Sequence, residues 1–168
     1  MPRSLFLTAF KDVNAILQYF VEGVIPIFGE NLTGVYLTGS LSYNAFNYDT
    51  SDIDLTVILK TPITASELAA IKQFHSQMEK PFEKWSKRLE CSYTPIEMLP
   101  SLLPPEKPRP WYWGGDGMLY EEAPYGNEWI INKYLLWHYA IPLVGADFKT
   151  LTDEVNIEEV QKACIRDL

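Results

Sequence analysis

Four residues between positions 37 and 59 have types and a spacing that could bind a metal ion and a phosphate group. Gly39 and Ser40 end one apolar run, and Asp52 and Asp54 begin the next one, which continues to Leu59. Side chains at positions i and i+2 of a strand point to the same face, so the two carboxylates should project together. They would repel each other unless a cation lay between them, and Mg²⁺ prefers oxygen ligands of this kind. The pair therefore predicts a magnesium site at the mouth of a buried strand.

The Gly39-Ser40 pair is typical of a turn that binds phosphate. Its backbone N–H groups and its hydroxyl stand where a short helical turn would begin, and such positions attract anions. A phosphate site beside a metal site predicts a nucleoside triphosphate held for attack. Taken alone, Asp52 could instead cap a turn and Asp54 could lie exposed at the start of a strand. The combination of two apolar strands, the Gly-Ser pair and the acidic pair favours the nucleotide site.

Hydrophobic patterning predicts the elements that would position these residues. Amphipathic spacing indicates helices, and apolar runs rich in β-branched residues indicate strands inside a sheet that helices cover. The predicted helices span residues 5–28, 64–85 with a kink at Pro81, 128–139, and 152 to the chain end. The predicted strands span residues 35–38, 53–59 and 89–94, and residues 100–117 are predicted to be a long irregular connection. The sequence thus predicts an α/β (α+β) fold, a small mixed twisted sheet flanked by helices, with His75 on the surface of the second helix.

Composition and charge narrow the classes of function. Hydrophobic residues make up 47% of the sequence, enough for a packed core, and the net charge of −8 argues against a nucleic-acid partner. No apolar run approaches the ~18 residues of a membrane span, and the N-terminal apolar patch is too short for a secretion signal. Cys91 and Cys164 form no zinc-binding pattern and indicate no disulfide framework. We therefore expect a cytoplasmic protein that binds neither nucleic acid nor membrane.

The segment LTGSLSYNAFNYDTSDIDLTVIL resembles the signature of the polymerase-β-like nucleotidyltransferase superfamily. The matching positions are Gly39, Ser40, Asp52 and Asp54. The resemblance implies the superfamily fold, a donor nucleotide bound at Gly39 and Ser40, and Mg²⁺ held by the two aspartates. It also implies a third carboxylate, for which Glu90 in RLECSY is the candidate, either as a metal ligand or as the base that deprotonates the attacking hydroxyl. Without the resemblance, Glu90 would be interpreted as a solvent-facing strand residue.

A narrower resemblance connects residues 30–147 with the amino-terminal domain of the aminoglycoside 3″-type (streptomycin/spectinomycin) adenylyltransferases. It rests on the first motif, on Leu89-Glu90 and on the late segment WHYAIPLVGAD, where Ala146 replaces the family's proline. It implies transfer of AMP from ATP to a hydroxyl of a small, cationic acceptor, with an aminoglycoside antibiotic as the first choice. Residues 1–150 would form the nucleotidyltransferase domain, and residues 151–168 would begin a helical C-terminal region that is mostly missing.

The candidate residues for binding the acceptor lie outside the Gly-Ser and acidic motifs. The aromatic segment RPWYWGGDGMLYEE offers Trp111 or Trp113 for stacking on a sugar or base, and Asp116, Glu121 and Glu122 for attracting a polycation. The same aromatic residues could instead pack on their own domain. Two alternative functions remain open: a minimal nucleotidyltransferase of a toxin-antitoxin pair that modifies a protein partner, and a non-catalytic nucleotide-binding module. The intact set of acidic residues argues against the second.

Overall fold

The computed structural model describes residues 8–166, and within them six strands form one mixed sheet. The strands are β1 (Leu32–Thr38), β2 (Ile53–Leu59), β3 (Leu89–Pro95), β4 (Arg109–Trp113), β5 (Met118–Ala123) and β6 (Ile141–Val144). The helices are α1 (Lys11–Phe28), α2 (Ala65–Met78), α3 (Glu83–Ser86), α4 (Trp129–Tyr139) and α5 (Ile157–Arg166). A 3₁₀ turn at Gly39–Leu41 follows β1.

The order of the strands in the sheet is β5-β4-β3-β2-β1-β6. β2 and β3 run parallel, and the other four neighbouring pairs run antiparallel. Parallel neighbours need a crossover connection, and residues 60–88, which contain α2 and α3, supply it. The crossover returns the chain to the end of the sheet where β2 began. As a result Asp54 lies opposite Glu90 of β3 and opposite Thr38 of β1.

Helices cover both faces of the sheet. α1 and α2 pack on one face, in a large apolar cluster that joins residues such as Phe20 to sheet residues such as Leu55. α4 packs on the other face, where Trp129 and Leu136 share a second cluster with Tyr36 of β1. Side chains alternate between the two faces along each strand, so the acidic residues of β2 and β3 point to the α4 face.

The second predicted helix is correct at its start and wrong at its end. The Thr64 hydroxyl accepts a hydrogen bond from the Glu67 N–H, and the Glu67 carboxylate accepts one from the Thr64 N–H, so the predicted cap is confirmed. However, α2 ends at Met78 and α3 is a separate short helix. Pro81 lacks an N–H group and restricts the residue before it, so the helix stops here instead of kinking.

The predicted irregular connection is also wrong in its second half. Residues 109–113 form β4, which pairs with β3 and, through a short turn, with β5. Aromatic residues favour strands, and Gly117, with a φ of 70°, closes the turn. β6 is absent from the sequence prediction because Pro142 argues against a strand. At the edge of a sheet, however, a proline costs no ladder hydrogen bond.

His75 lies in the core and not on the surface of α2, contrary to the sequence prediction. Its side chain is 2% exposed, and its ring stacks on Tyr112 with 3.8 Å between ring centroids. Its Nε2 lies 2.6 Å from the hydroxyl of Tyr93, and burial lowers the pKa of His75 to about 3. The surface prediction fails because Tyr112 belongs to β4, the strand that the sequence does not predict.

The last helix packs on α4 through a small apolar cluster of Ile130, Val155 and Ala163. α5 begins at Ile157 and not at residue 152. The division of the chain into domains of residues 1–150 and 151–168 stays a prediction. Within residues 8–166 no helix combines the length and the apolar character needed to cross a bilayer.

Candidate active site

The 3₁₀ turn after β1 places its backbone directly against the start of β2. Gly39 has a φ of 67°, which favours glycine, and a Cβ atom at this position would overlap Oδ2 of Asp54. The Ser42 hydroxyl fixes the turn by donating a hydrogen bond to the Gly39 carbonyl at 2.7 Å. The Gly-Ser motif and the second aspartate of the acidic motif therefore form one packed unit.

Asp54 and Glu90 lie side by side on the two parallel strands. They are register partners, and their carboxyl groups lie close enough to share a hydrogen bond when one of them is protonated. Burial, the charge and hydrogen bond of Glu90, and the charge of Asp52 raise the pKa of Asp54 to about 7. Burial and the charge of Asp52 also raise the pKa of Glu90, against the opposing effect of the Asp54 hydrogen bond. Burial and repulsion between like charges thus both disfavour the ionised carboxylates at this end of the sheet.

Only three of the five predicted site residues line a common cavity. Gly39, Asp54 and Glu90 line one cavity. Asp52 is exposed just before β2 and acts on the other two acids through its charge. Ser40 lies in the 3₁₀ turn, where its carbonyl accepts the Ala45 N–H at 2.9 Å. In the part of the chain that the structure describes, no three His, Cys, Asp or Glu side chains are grouped so as to hold a metal ion.

The donor set of this site nevertheless fits a divalent cation. Asp54 and Glu90 present oxygen ligands, and burial together with the charges of the neighbouring carboxylates raises the pKa of both. Mg²⁺ takes one or two carboxylates and fills its remaining positions with water and phosphate oxygens. Asp52, exposed just before β2, is a further carboxylate whose charge already acts on both acids.

Residues outside the motifs hold the loop that leads to the acidic pair. Arg88, directly before β3, donates hydrogen bonds to the carbonyls of Tyr48, at 2.9 Å, and Ser51. Asp12 of α1 accepts hydrogen bonds from the Tyr48 hydroxyl at 2.6 Å and from the Trp85 indole at 2.7 Å. Arg88 therefore ties the loop to the strand that carries the third carboxylate. The sequence does not predict that Arg88 holds this loop. The one signal for it in the sequence is the position of the arginine directly before Leu89-Glu90.

A cavity of about 300 Å³ opens on the α4 face above the acidic residues. Gly39, Asp54 and Glu90 line the end where β2 and β3 begin. Ser92 and Thr94 continue the lining along β3, and residues of α4 form the facing wall. The cavity therefore extends the acidic site along β3, away from the Gly-Ser turn.

Three stacked rings, which we call the aromatic shelf, flank this cavity on the β4–β5 hairpin. The shelf consists of Trp111, Trp113 and Tyr120. The two indoles are nearly parallel, with 6.4 Å between centroids, and Tyr120 lies 5.8 Å from Trp111. Trp113 is the register partner of Glu90 and is 40% exposed. The structure therefore places both predicted stacking residues next to the acidic site.

The three acidic residues predicted to attract a polycation have different surroundings. Asp116 accepts hydrogen bonds from the Tyr120 hydroxyl and the Met118 N–H within the hairpin. Glu121 forms an ion pair with Lys72 of α2 at 3.4 Å. Glu122 is exposed and lines a second cavity, of about 390 Å³, which borders the shelf. Two of the three are thus engaged with the protein itself.

This mixed sheet, flanked by helices, is the α/β (α+β) fold that the sequence predicts. Spectinomycin adenyltransferase AAD(9) from Enterococcus faecialis, solved with ATP and spectinomycin, matches 90% of this chain with a TM-score of 0.67 and 18% identity. The chain spans 64% of the length of that protein. At this level of identity the likeness establishes the fold.

A second solved structure, a toxin-antitoxin with AMP-PNP, matches 94% of this chain and 87% of its own. Its TM-score of 0.41 and 11% identity are too low to carry an argument. No protein-family profile matches the sequence, and no curated protein does. The fold is thus established from structure, whereas the activity must be inferred from the site.

Proposed function

We propose that this protein is a Mg²⁺-dependent nucleotidyltransferase that transfers AMP from ATP to a hydroxyl group of a small acceptor. The observation that carries the proposal is the packing of Gly39 against Asp54, and of Asp54 against Glu90, at one end of a cavity in this fold. The likeness to an adenyltransferase solved with ATP and spectinomycin supports ATP as the donor and an aminoglycoside-type antibiotic as the acceptor. Such an enzyme would act in the cytoplasm, where ATP is present.

The donor side of the reaction would be bound by the two sequence motifs. The turn at Gly39 and Ser40 would bind the triphosphate through backbone N–H groups and a hydroxyl. Asp52 and Asp54 would hold Mg²⁺, with Glu90 close enough to contribute a further oxygen. When bound, the ion supplies positive charge against the triphosphate oxygens.

Glu90 would act as the general base. Its side chain lines the cavity beside Asp54, where it could accept the proton of an acceptor hydroxyl bound there. The acceptor oxygen attacks the α-phosphorus while its proton passes to Glu90. The bond between the α-phosphorus and pyrophosphate breaks on the opposite side, so the products are the adenylylated acceptor and pyrophosphate.

The acceptor would approach from the hairpin side of the site. The aromatic shelf offers exposed ring faces beside Glu90, and such faces bind the apolar faces of sugar rings. Glu122 adds negative charge nearby for an acceptor that carries amines.

Incubation of the protein with ATP, Mg²⁺ and a panel that includes spectinomycin and streptomycin tests this proposal. We expect mass spectrometry to show the addition of one adenylyl group to an acceptor. Asp54→Asn should lower the rate by roughly 10²-fold or more, as expected when charge stabilisation in the transition state is lost. Asp49→Asn, an exposed residue of the same loop, is the matched control.

Full activity in Asp54→Asn would contradict the assignment of the metal site. Adenylylation of a co-expressed protein, with no antibiotic modified, would instead support the protein-modifying alternative. Binding of ATP without transfer to any acceptor would support the non-catalytic module.

A further inference from the structure

The end of the cavity remote from the acidic residues is lined by hydrogen-bond donors and hydroxyls. Ser92 and Thr94 follow Glu90 on the same face of β3, roughly 7 and 13 Å farther along the strand. Arg109, the first residue of β4, donates a hydrogen bond from Nε to the Ser92 hydroxyl at 3.1 Å. The Tyr125 hydroxyl donates to the Thr94 hydroxyl at 3.2 Å. We call Ser92, Thr94, Arg109 and Tyr125 the polar end, and all four line the cavity.

The polar end has hydrogen-bond donors that its internal hydrogen bonds do not use. The hydroxyls of Ser92 and Thr94 are 3.0 Å apart, and one of them donates to the other, which leaves one hydroxyl hydrogen over. Arg109 uses Nη1 on the carbonyls of Ala123 and Pro124, at 3.1 and 2.8 Å. Within residues 8–166, its Nη2 has no hydrogen-bond partner. The network therefore keeps unused donors on side chains that line the cavity.

Arg109 also carries a charge without a close counter-charge. Although the protein has a net charge of −8, no carboxylate of residues 8–166 lies within 4.0 Å of its guanidinium nitrogens. Its guanidinium packs on the ring of Tyr125 at 4.3 Å, and Glu128 attracts it from a longer distance. Such a site attracts oxygen atoms and repels ammonium groups.

We propose that the polar end binds an oxygen-rich, uncharged or anionic group of the acceptor, such as its hydroxyl and carbonyl oxygens. The inference rests on the proposed function, in which the triphosphate occupies the Gly39 side of Glu90 and leaves the opposite side to the acceptor. The acceptor is then bound in one orientation, with its oxygens toward Arg109 and its amines toward Glu122 and the aromatic shelf. The polar end thereby selects which hydroxyl reaches Glu90.

Calorimetric titration of the full chain with spectinomycin in the presence of Mg²⁺ and AMP-PNP tests this assignment. Spectinomycin is a suitable probe because its rings carry hydroxyl and carbonyl oxygens as well as amines. Thr94→Val keeps the shape and removes one hydroxyl, and should weaken binding roughly fivefold. Arg109→Lys keeps the charge and loses the planar fork of donors, and should weaken it roughly tenfold or more. Thr33→Val is the matched control, because it makes the same substitution in a strand, β1, at a residue that does not line the cavity.

A selective loss supports the inference: weaker spectinomycin binding in both variants, unchanged binding in Thr33→Val, and AMP-PNP affinity within about twofold of the native protein. Unchanged spectinomycin affinity in the two variants overturns it and leaves the proposed function intact. Weaker AMP-PNP binding in Arg109→Lys also overturns it, because the polar end would then serve the donor. If the native protein binds AMP-PNP but not spectinomycin, this occupant is wrong while nucleotidyl transfer stands. Failure to bind AMP-PNP contradicts the proposed function itself.

Discussion

The β1–β2–β3 side of the sheet fixes its functional groups through backbone contacts, whereas the β4–β5 side presents them as exposed rings. Gly39 and Asp54 are packed so closely that no side chain fits between them. The rings of Trp113 and Tyr120, by contrast, are each 40% exposed, and each of them stacks on Trp111. The first side therefore holds its functional groups in one fixed geometry. The second exposes ring faces to which a ligand could bind.

Gly39→Ala should have the largest effect of the variants that separate these two sides. The new methyl group would both strain a positive φ and displace the Asp54 carboxylate. We expect transfer to fall by roughly 10²-fold or more, with a loss of about 1–3 kcal/mol in the free energy of unfolding. Adenylylation kinetics and denaturant unfolding measure the two quantities.

Gly29→Ala is the matched control for this variant. Gly29 also has a positive φ, of 51°, but no atom lies near the position of its missing Cβ. It should lose stability and keep its activity. Equal losses of activity in both glycine variants would show that strain, and not contact with Asp54, explains the effect.

Acid should destabilise the protein through His75, on which Tyr112 of the β4–β5 hairpin stacks. Burial lowers its pKa to about 3, so the folded protein holds it neutral, whereas the unfolded chain protonates it near pH 6.5. The free energy of unfolding should therefore fall as pH drops from 6.5 toward 3, by up to about 1.4 kcal/mol per pH unit from this group. Urea unfolding at a series of pH values measures the slope.

His75→Phe preserves the stacking on Tyr112 and cannot be protonated. Its stability should be lower at pH 7, by about 1–3 kcal/mol, because the Tyr93 hydroxyl loses its partner. Its stability should also depend less on pH than that of the native protein. An identical pH slope in the two proteins would exclude His75 as a source of acid sensitivity.

Trp111→Ala should affect the acceptor and spare the donor. Trp111 is the central ring of the shelf, and removal of one stacking face costs about 1–1.5 kcal/mol, or roughly tenfold in affinity. We expect KM for the acceptor to rise while the affinity for ATP stays the same. Trp111→Phe should recover part of the loss. An equal rise in KM for ATP would place the shelf on the donor side.

Lys72→Met should have the smallest effect. Its ion pair with Glu121 joins α2 to the hairpin, but both side chains are about half exposed. Exposed pairs contribute about 0–1 kcal/mol and weaken as salt screens them. We expect a change in Tm of a few degrees at most, and less in high salt. A larger loss would mean that this pair, and not packing on Tyr112, holds the hairpin in place.

The elements that carry Gly39 and Asp54 could be predicted because their signals are local in the sequence. A Gly-Ser turn, an acidic pair and an apolar strand occur within 23 residues, from Leu37 to Leu59. Strand β3 and Glu90 follow from a similar local pattern. The pairing of Asp54 with Glu90, however, depends on the crossover, and the sequence indicates only that both residues begin a strand.

The β4–β5 side of the sheet could not be predicted to the same extent, because its contacts join distant parts of the chain. The proline-rich segment before Arg109 hides the start of β4, and without β4 neither the burial of His75 nor the aromatic shelf can be inferred. The hydrogen bond from Arg109 to Ser92 links two strands whose pairing no local pattern specifies. Charge, periodicity and composition do not report such pairs.

The parallel pairing of β2 with β3 has a consequence for the order in which the protein folds. Parallel strands cannot meet through a tight hairpin, so their contact forms after residues 60–88 have condensed into the crossover. Contacts between distant residues carry a large loop-closure entropy and are typically slow to form. We therefore expect Asp54 and Glu90 to meet only once the crossover has brought β3 back beside β2. Their repulsion would then oppose this long-range contact and not the local contacts within α2 or the strands.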